Sequence, residues 1–414
     1  MHVVIATVGT RGDVQPYVAL GKELTLRGHA VTIASNTDHR ELIEAHGLAH
    51  RGVCGSFREL LSSPAGRRWI ESADPIRYMS TARALFEPVA RRWVDDFDGA
   101  LADADVVLSH SATPPSLGVC RGQGKRFLIV SPFPSIPSRE IGFGLPEIPI
   151  VTGLLNRVGF GLFLDQFWKI GAREVAAYQR ARGAAPSRRA LWREHVERAI
   201  PHLHLYSEHV IPRPADWPGC AEVLGYCFLD EPSWQPPAAL LDYLASGPPP
   251  VYVGFGSMTG MDPERLAQLT RDAVRRARTR AVIGMGWGGM RGFAGADDLF
   301  VVEDVPHAWL FPRVSAVVQH CGAGTVAAAL RAGRPIVAVP FFADQPAWAN
   351  ILHAHGVAPA PVPRRTLTPD RLAGAITAAT TDPRYAARAA QISARLATEQ
   401  GAVRAADRVL HHLA

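Results

Sequence analysis

Cysteine is scarce and follows no pattern: the chain has 5, at Cys54, Cys120, Cys220, Cys227 and Cys321. The number is odd and no pair has CxxC or zinc-ligand spacing. That excludes a disulfide-framed scaffold and fits a reducing compartment, with the cytoplasm as the default. Long apolar runs are missing too, and nothing approaches the roughly 18 uninterrupted residues of a membrane-spanning helix. The apolar opening 1–9 is short, lacks a basic lead-in and runs straight into Thr10-Arg11-Gly12-Asp13, so it reads as a first strand and not as a signal peptide. Neither sign of charge dominates: 44 Lys+Arg stand against 38 Asp+Glu, a net of +6. No basic stripe interleaved with aromatics is present, which excludes nucleic acid as a partner. A phosphate-bearing small ligand or an anionic membrane surface is reason enough for so small a surplus. The 37 Gly and 33 Pro are scattered and no repeat period is visible. With 47% hydrophobic and 20% charged residues, the collagen-like, low-complexity and disordered classes are excluded as well.

What is present is enough chain, 414 residues, for about two domains. Residues 2–8 (HVVIATV) form a β-rich apolar run of the kind buried on both faces of a parallel sheet. Val14, Tyr17, Val18, Leu20 and Leu24 follow at helical spacing, which predicts a helix over 14–28 with Asp13 as N-cap and Gly28 closing it. Strands at 30–35, 104–109 and 126–131, with a helix at 38–46, continue a doubly wound α/β rhythm. Between 139 and 195 the rhythm gives way to a Gly- and aromatic-rich insertion. A proline-rich stretch over 212–249 reads as a linker. From 250 the α/β cycle restarts, with strands at 250–256, 281–285, 299–302, 314–319 and 335–339 and helices at 263–278 and 325–332. The expected division is 1–211, linker 212–249, and 250–414, with the last helix able to pack back on the first lobe.

The most informative segment is 319–345, QHCGAGTVAAALRAGRPIVAVPFFADQ. A strand delivers His320, Gly322 and Gly324 allow a tight turn around Ala323, and Thr325 opens a helix whose first N–H groups lack intrahelical acceptors. Such a turn suits a diphosphate, with His320 and the Thr325 hydroxyl as further hydrogen-bonding groups, or it is an ordinary β–turn–helix with Thr325 as the cap. After the next strand, Asp344 and Gln345 place a carboxylate and an amide together, suited to reading sugar hydroxyls or simply capping a helix. Ser257 ends the first strand of the second lobe and can donate to a phosphate. Glycines 284, 286 and 289 match GxGxxG formally, yet the residues after them open no amphipathic helix, so the dinucleotide reading is rejected. Val305 could meet a nucleobase edge through its backbone, although Pro306 explains the residues equally well as a helix start. Asp13 is either an N-cap or a carboxylate placed to take a proton from an acceptor hydroxyl. His110, expected in the loop after strand 104–109, is a second candidate base or a partner orienting Asp13.

Four stretches, GTRGDVQPYVALGKELTLRGHAVTIAS, PPPVYVGFGSM, GWGG and HCGAGTVAAALRAGRPIVAVPFFADQPAWAN, resemble in order the signatures of bacterial natural-product glycosyltransferases and sterol glucosyltransferases of the GT-B superfamily. The likeness covers nearly the whole chain, and LLNRVGFGLFLDQFWK resembles the sterol branch. It implies an α/β GT-B fold of two Rossmann-like, doubly wound lobes facing across a cleft. The acceptor would lie in the first lobe and a nucleotide sugar in the second, with no metal and no cofactor besides the donor substrate. By resemblance, Ser257, His320, Gly322, Ala323, Gly324 and Thr325 hold the diphosphate, Val305 lies at the base, and Asp344 and Gln345 read the donor sugar. The Thr10-Arg11-Gly12 turn lies on the donor side and Asp13 is the general base. Cys321 and Ala323 depart from the sterol pattern, which favours Gly and Ser there, and so remove one hydroxyl from the phosphate loop.

The implied activity is inverting transfer of a hexose from a UDP- or dTDP-sugar to a lipophilic hydroxyl acceptor, sterol-like or polyketide. A nucleotide-sugar epimerase or hydrolase, or a non-catalytic donor-binding helper, is the other reading on the same fold. The apolar 148–168 stretch can be an acceptor lid or a peripheral membrane contact.

Overall fold

A computed structural model describes the chain apart from residues 73–74, 143–152, 187–189, 232–233, 257–261, 287–297 and 342. It divides into two compact units, Met1–Leu229 with Gln400–Ala414, and Asp230–Glu399. The first contains β1 (His2–Ala6), β2 (Ala30–Ser35), β3 (Ala49–Gly52), β4 (Val106–His110), β5 (Arg126–Ser131), β6 (His202–His204) and β7 (Ala221–Val223). These form one parallel sheet in the order β3-β2-β1-β4-β5-β6-β7. The HVVIA run behaves as its composition demands. Val3 and Ile5 enter one core with Val14, Tyr17 and Leu20, while Val4 and Ala6 enter the other with Phe97 and Leu101, because successive strand residues face opposite sides.

The second unit contains β8 (Val251–Gly254), β9 (Ala281–Gly284), β10 (Leu299–Val302), β11 (Val317–Gln319) and β12 (Ile336–Ala338), also parallel, in the order β10-β9-β8-β11-β12. In each unit the order reverses beside the first strand, between β1 and β4 and between β8 and β11. The crevice outside the carboxyl ends at such a switch point is where open α/β sheets bind ligands.

Several expected boundaries move. The first helix is Arg11–Leu26 with Thr10 as its N-cap, so Asp13 is not the cap but lies one turn inside. His110 is the last residue of β4 and not a loop residue. The 212–249 stretch is not a plain linker: it contains β7, which completes the first sheet, and the helix Ala238–Ala245 of the second unit. Prolines there mark turns between ordered elements. The terminal helix Gly401–Leu413 packs in the first unit, with Ala405, Ala406 and Val409 in its core and Arg27 bridging to Asp407 at 3.0 Å.

His202 and His204 of β6, and His195 of the helix Leu191–Glu197, are buried. Burial disfavours the imidazolium, pushing His202 to about 4 and His204 to about 3 from an ordinary value near 6.5, and His195 well below it. The unfolded chain therefore binds more protons than the folded one below pH 6.5, and stability falls as pH drops from there toward 4, by about 1.4 kcal/mol per histidine per pH unit. His202 Nδ1 hydrogen-bonds Ile200 O at 2.8 Å, a bond an asparagine amide can reproduce. His202→Asn is expected to flatten the decline of the unfolding midpoint between pH 6.5 and 4. An unchanged slope would mean that this histidine is not the titrating group.

Candidate functional site

The loop after β1 is fixed from below before it presents anything. Gly9 N–H donates to Asn36 Oδ1 at 3.1 Å, and His39 Nε2 donates to Gly9 O at 3.1 Å. The Thr7 hydroxyl donates to Asp13 O at 2.6 Å. Asn36, His39 and Thr7 are buried, and burial holds His39 below its ordinary value, in the neutral form. None of the three was expected from the sequence. Their signal was available in kind, as polar residues immediately past the carboxyl ends of β1 and β2.

Asp13 stands in the third position of its helix and reaches back. Its Oδ2 accepts from Thr10 N–H at 2.8 Å and from the Thr10 hydroxyl at 3.0 Å, the return arm of a capping box. Gly9 has to be glycine, since a methyl group there would lie 2.3 Å from Asp13 Oδ2. Arg11 Nε donates to Gln15 along the helix surface, and Gly12 lies in the same first turn. The other Asp13 oxygen, Oδ1, faces His110 Nε2 at 3.9 Å. His110 Nδ1 accepts from Ala112 N–H at 3.0 Å, so the proton of a neutral ring resides on Nε2, directed toward Asp13. Tyr17 and Phe133 enclose the imidazole edge-on, with centroids 5.7 and 5.6 Å away. Burial pushes His110 down to about 3, and burial raises Asp13 above its ordinary 3.8 against the Thr10 hydrogen bonds. The result is a basic carboxylate beside a ring that stays neutral.

In the second unit, His320 directly follows β11, between two glycines. A methyl group at Gly256 would come within 2.8 Å of His320 Cε1, and one at Gly322 within 2.6 Å of Nε2. Burial pushes His320 down to about 4, and its Nδ1 has no partner among the described residues. The next helix is Ala323–Arg331 with Gly322 as N-cap, so Thr325 lies in the first turn and not at the cap. Gly324 and Ala323 complete that turn. The end of β11 and a helix N-terminus meet there. Val305 is buried ahead of the short helix His307–Leu310. Below it the Tyr252 hydroxyl lies 3.5 Å from His307 Nε2, over Gly254 and Gly284, where any side chain would collide with it. Gly284 therefore has a packing reason to be glycine, consistent with rejecting the dinucleotide fingerprint, while Gly289 and Ser257 lie outside the described residues. Asp344 precedes the helix Gln345–Ala354 and accepts from Trp348 Nε1 at 3.0 Å. Gln345, buried rather than solvated, accepts from Phe341 N–H at 2.8 Å.

Two α/β units of Rossmann strand order, each with its polar residues at the switch point, define the GT-B class of fold. The whole chain superposes on the glycosyltransferase of kitacinnamycin with a TM-score of 0.72 at 21% identity, covering 100% of this chain and 99% of that one. It superposes on the glycosyltransferase VinC, solved in complex with dTDP, with a TM-score of 0.67 at 19% identity, covering 99% of each chain. Residues 3–86 match the glycosyltransferase family 28 N-terminal domain, and 295–410 match the C-terminal domain of erythromycin biosynthesis protein CIII-like proteins. An O-mycaminosyltylonolide 6-deoxyallosyltransferase of Streptomyces fradiae is 33% identical over 407 residues, 97% of this chain and 95% of that protein. A sterol 3-beta-glucosyltransferase of Arabidopsis thaliana is 32% identical over 88% of this chain, which spans 58% of that relative's length. The chain belongs to the UDP-glycosyltransferase-like family of GT-B glycosyltransferases, the family of the macrolide and sterol enzymes.

Asn36→Ala deletes the acceptor of a buried Gly9 N–H, a loss of about 1–3 kcal/mol. The expected result is a denaturation midpoint lowered accordingly in the first unit. A change under about 0.5 kcal/mol would show that Asn36 does not hold the loop.

Proposed function

We propose that the chain moves a hexose from a UDP- or dTDP-linked donor to a hydroxyl of a lipophilic acceptor, with inversion, using Asp13 as general base. The observation that carries this is the state of the two Asp13 oxygens: Thr10 engages Oδ2, while Oδ1 faces the N–H side of a neutral histidine. The acceptor oxygen attacks the anomeric carbon, its proton passes to Asp13 Oδ1, and the bond from that carbon to the diphosphate breaks. The tautomer of His110 favours Asp13 over His110 as base, because the one lone pair of the neutral ring is engaged by Ala112 N–H. His110 then serves as a positioning residue.

On the donor side, negative charge grows on the departing diphosphate. The first-turn N–H groups of 323–325, the helix dipole, the Thr325 hydroxyl and the neutral His320 ring are the groups we assign to it. Val305 backbone, Asp344, Gln345 and Ser257 complete the assigned donor set, with the Thr10-Arg11-Gly12 turn on the acceptor unit. The dTDP bound by VinC supports a nucleoside diphosphate, and the sterol and macrolide relatives support an aglycone of low polarity. All five cysteines are free thiols, and the cytoplasm is the compartment we assign.

Asp13→Asn is expected to lower kcat by about 10²–10⁴-fold while leaving nucleotide binding intact. The wild-type rate should rise with pH through an Asp13 titration displaced above 3.8, and that limb should vanish in the variant. Transfer at the normal rate by Asp13→Asn would remove the assignment. Release of free hexose with no acceptor-linked product would identify a hydrolase instead.

UDP or dTDP is expected to raise the unfolding midpoint of the wild type by mass action, and NAD to leave it unchanged. Gly322→Ala, which drives a methyl group against His320, should abolish that shift. A nucleotide shift that survives the substitution would exclude this turn as the phosphate site.

A further inference from the structure

The helix Gly153–Trp168 has two unlike sides. Its inner side anchors it: Phe160, Gly161 and Trp168 are buried, and Phe163 stacks on Tyr78 with centroids 6.3 Å apart. Its outer side leaves Leu154 55%, Leu155 48%, Val158 48% and Leu162 56% exposed. Residues 154, 158 and 162 recur every four positions with 155 alongside, so they form one continuous apolar row over about two turns. Lone exposed apolar side chains need no explanation, but a contiguous row is what soluble surfaces avoid.

The charges around the row choose its occupant. Between 153 and 174 the chain carries Arg157, Lys169 and Arg173, all exposed, against two half-buried acids, Asp165 and Glu174. Asp165 is neutralised from within, by Arg193 at 2.9 Å and Trp192 Nε1 at 2.9 Å. Arg157 lies 3.8 Å from Asp216, and Lys169, which donates to Gln166 Oε1 at 3.4 Å, continues the line of the leucines just past the last turn. An apolar row with exposed cations at its margins matches the acyl–headgroup boundary of an anionic bilayer, where leucines enter the hydrocarbon edge and long basic side chains reach the phosphates. No described helix is long and apolar enough to cross a membrane, so the contact would be peripheral.

We infer that the outer face of this helix docks the enzyme reversibly on anionic membrane surface, placing it where a lipophilic acceptor resides. Only the second half of that statement rests on the proposed transferase activity. The docking itself is measured without donor or acceptor, so the two can fail separately.

The test is co-sedimentation with phosphatidylcholine vesicles, with and without about a third phosphatidylglycerol. The full-length protein is expected to sediment with the anionic vesicles at least about tenfold better than with the neutral ones, and to dissociate at high salt. Leu154→Ser/Leu162→Ser should lose about tenfold of that binding with an unchanged unfolding midpoint. Arg157→Glu/Lys169→Glu, which leaves the apolar row untouched, should lose the preference for anionic lipid and guards against misfolding of the first variant. In transfer assays, the leucine variant should keep its rate on a detergent-dispersed acceptor and fall on a vesicle-embedded one. Failure of the wild type to sediment, sedimentation unaffected by both variants, or a concentration-dependent dimer abolished by the leucine variant would each overturn the inference. Equal loss of transfer on dispersed and embedded acceptors would overturn it as well, making the row an acceptor lid.

Discussion

A parallel sheet whose strand order reverses beside its first strand must open a crevice there, because the chain leaves the two adjacent strands toward opposite faces. The candidate site residues are arranged around that constraint, twice. In the first unit Ala6 pairs with Ser109, and His110 is the next residue; in the second Gly254 pairs with Gln319, and His320 is the next residue. The same register thus delivers a histidine just past the last pair of the two central strands in both sheets. Opposite each comes a loop built for close approach, through Gly9 in one case and Gly256 in the other.

Both histidines are buried and both are pushed far below neutrality, to about 3 and about 4, by desolvation alone. Their neutrality has opposite uses. A cation beside Asp13 would stabilise its carboxylate and make it a poorer proton acceptor, whereas a neutral N–H at 3.9 Å leaves burial free to raise its basicity. Beside the turn we assign to the diphosphate, a neutral ring would add a hydrogen bond without a full charge that would hold the product. In the proposed reaction the stabilisation there would come from fixed backbone dipoles, which need not reorganise as the bond breaks.

Much of this was legible in the residues. The alternation of buried strands and amphipathic helices gave both sheets, since fully apolar runs such as HVVIA have few alternatives. Asp13, His320 and the 319–345 turn stood out because glycines and polar groups clustered at strand ends. What escaped was set by contacts distant in sequence. That Thr10 rather than Asp13 caps the first helix depends on which way one short carboxylate turns. The roles of Asn36 and His39 depend on a loop some thirty residues away reaching them, at Gly9. β7 was hidden in a proline-rich stretch because three residues, Ala221–Val223, carry too little periodicity to be read. The two sides of the Gly153–Trp168 helix were equally unreadable: an all-round apolar pattern says that a helix has something to bury, and only packing decides which side remains uncovered.

The capping box and the proposed base are one device rather than competing explanations of Asp13. A carboxylate with two open oxygens samples several rotamers, and each lost rotamer is entropy that would otherwise oppose the reactive geometry. Thr10 offers two donors from a single residue, both to Oδ2, which fixes the side chain and leaves Oδ1 in one place. Glutamate is the commoner partner at the third position of such a box, but its extra methylene would carry the carboxylate farther along the helix surface. Aspartate is short enough to satisfy Thr10 and still keep its second oxygen against His110. The helix start that the backbone needs for stability is, by the choice of one methylene, the same structure that would aim the proposed proton acceptor into the crevice.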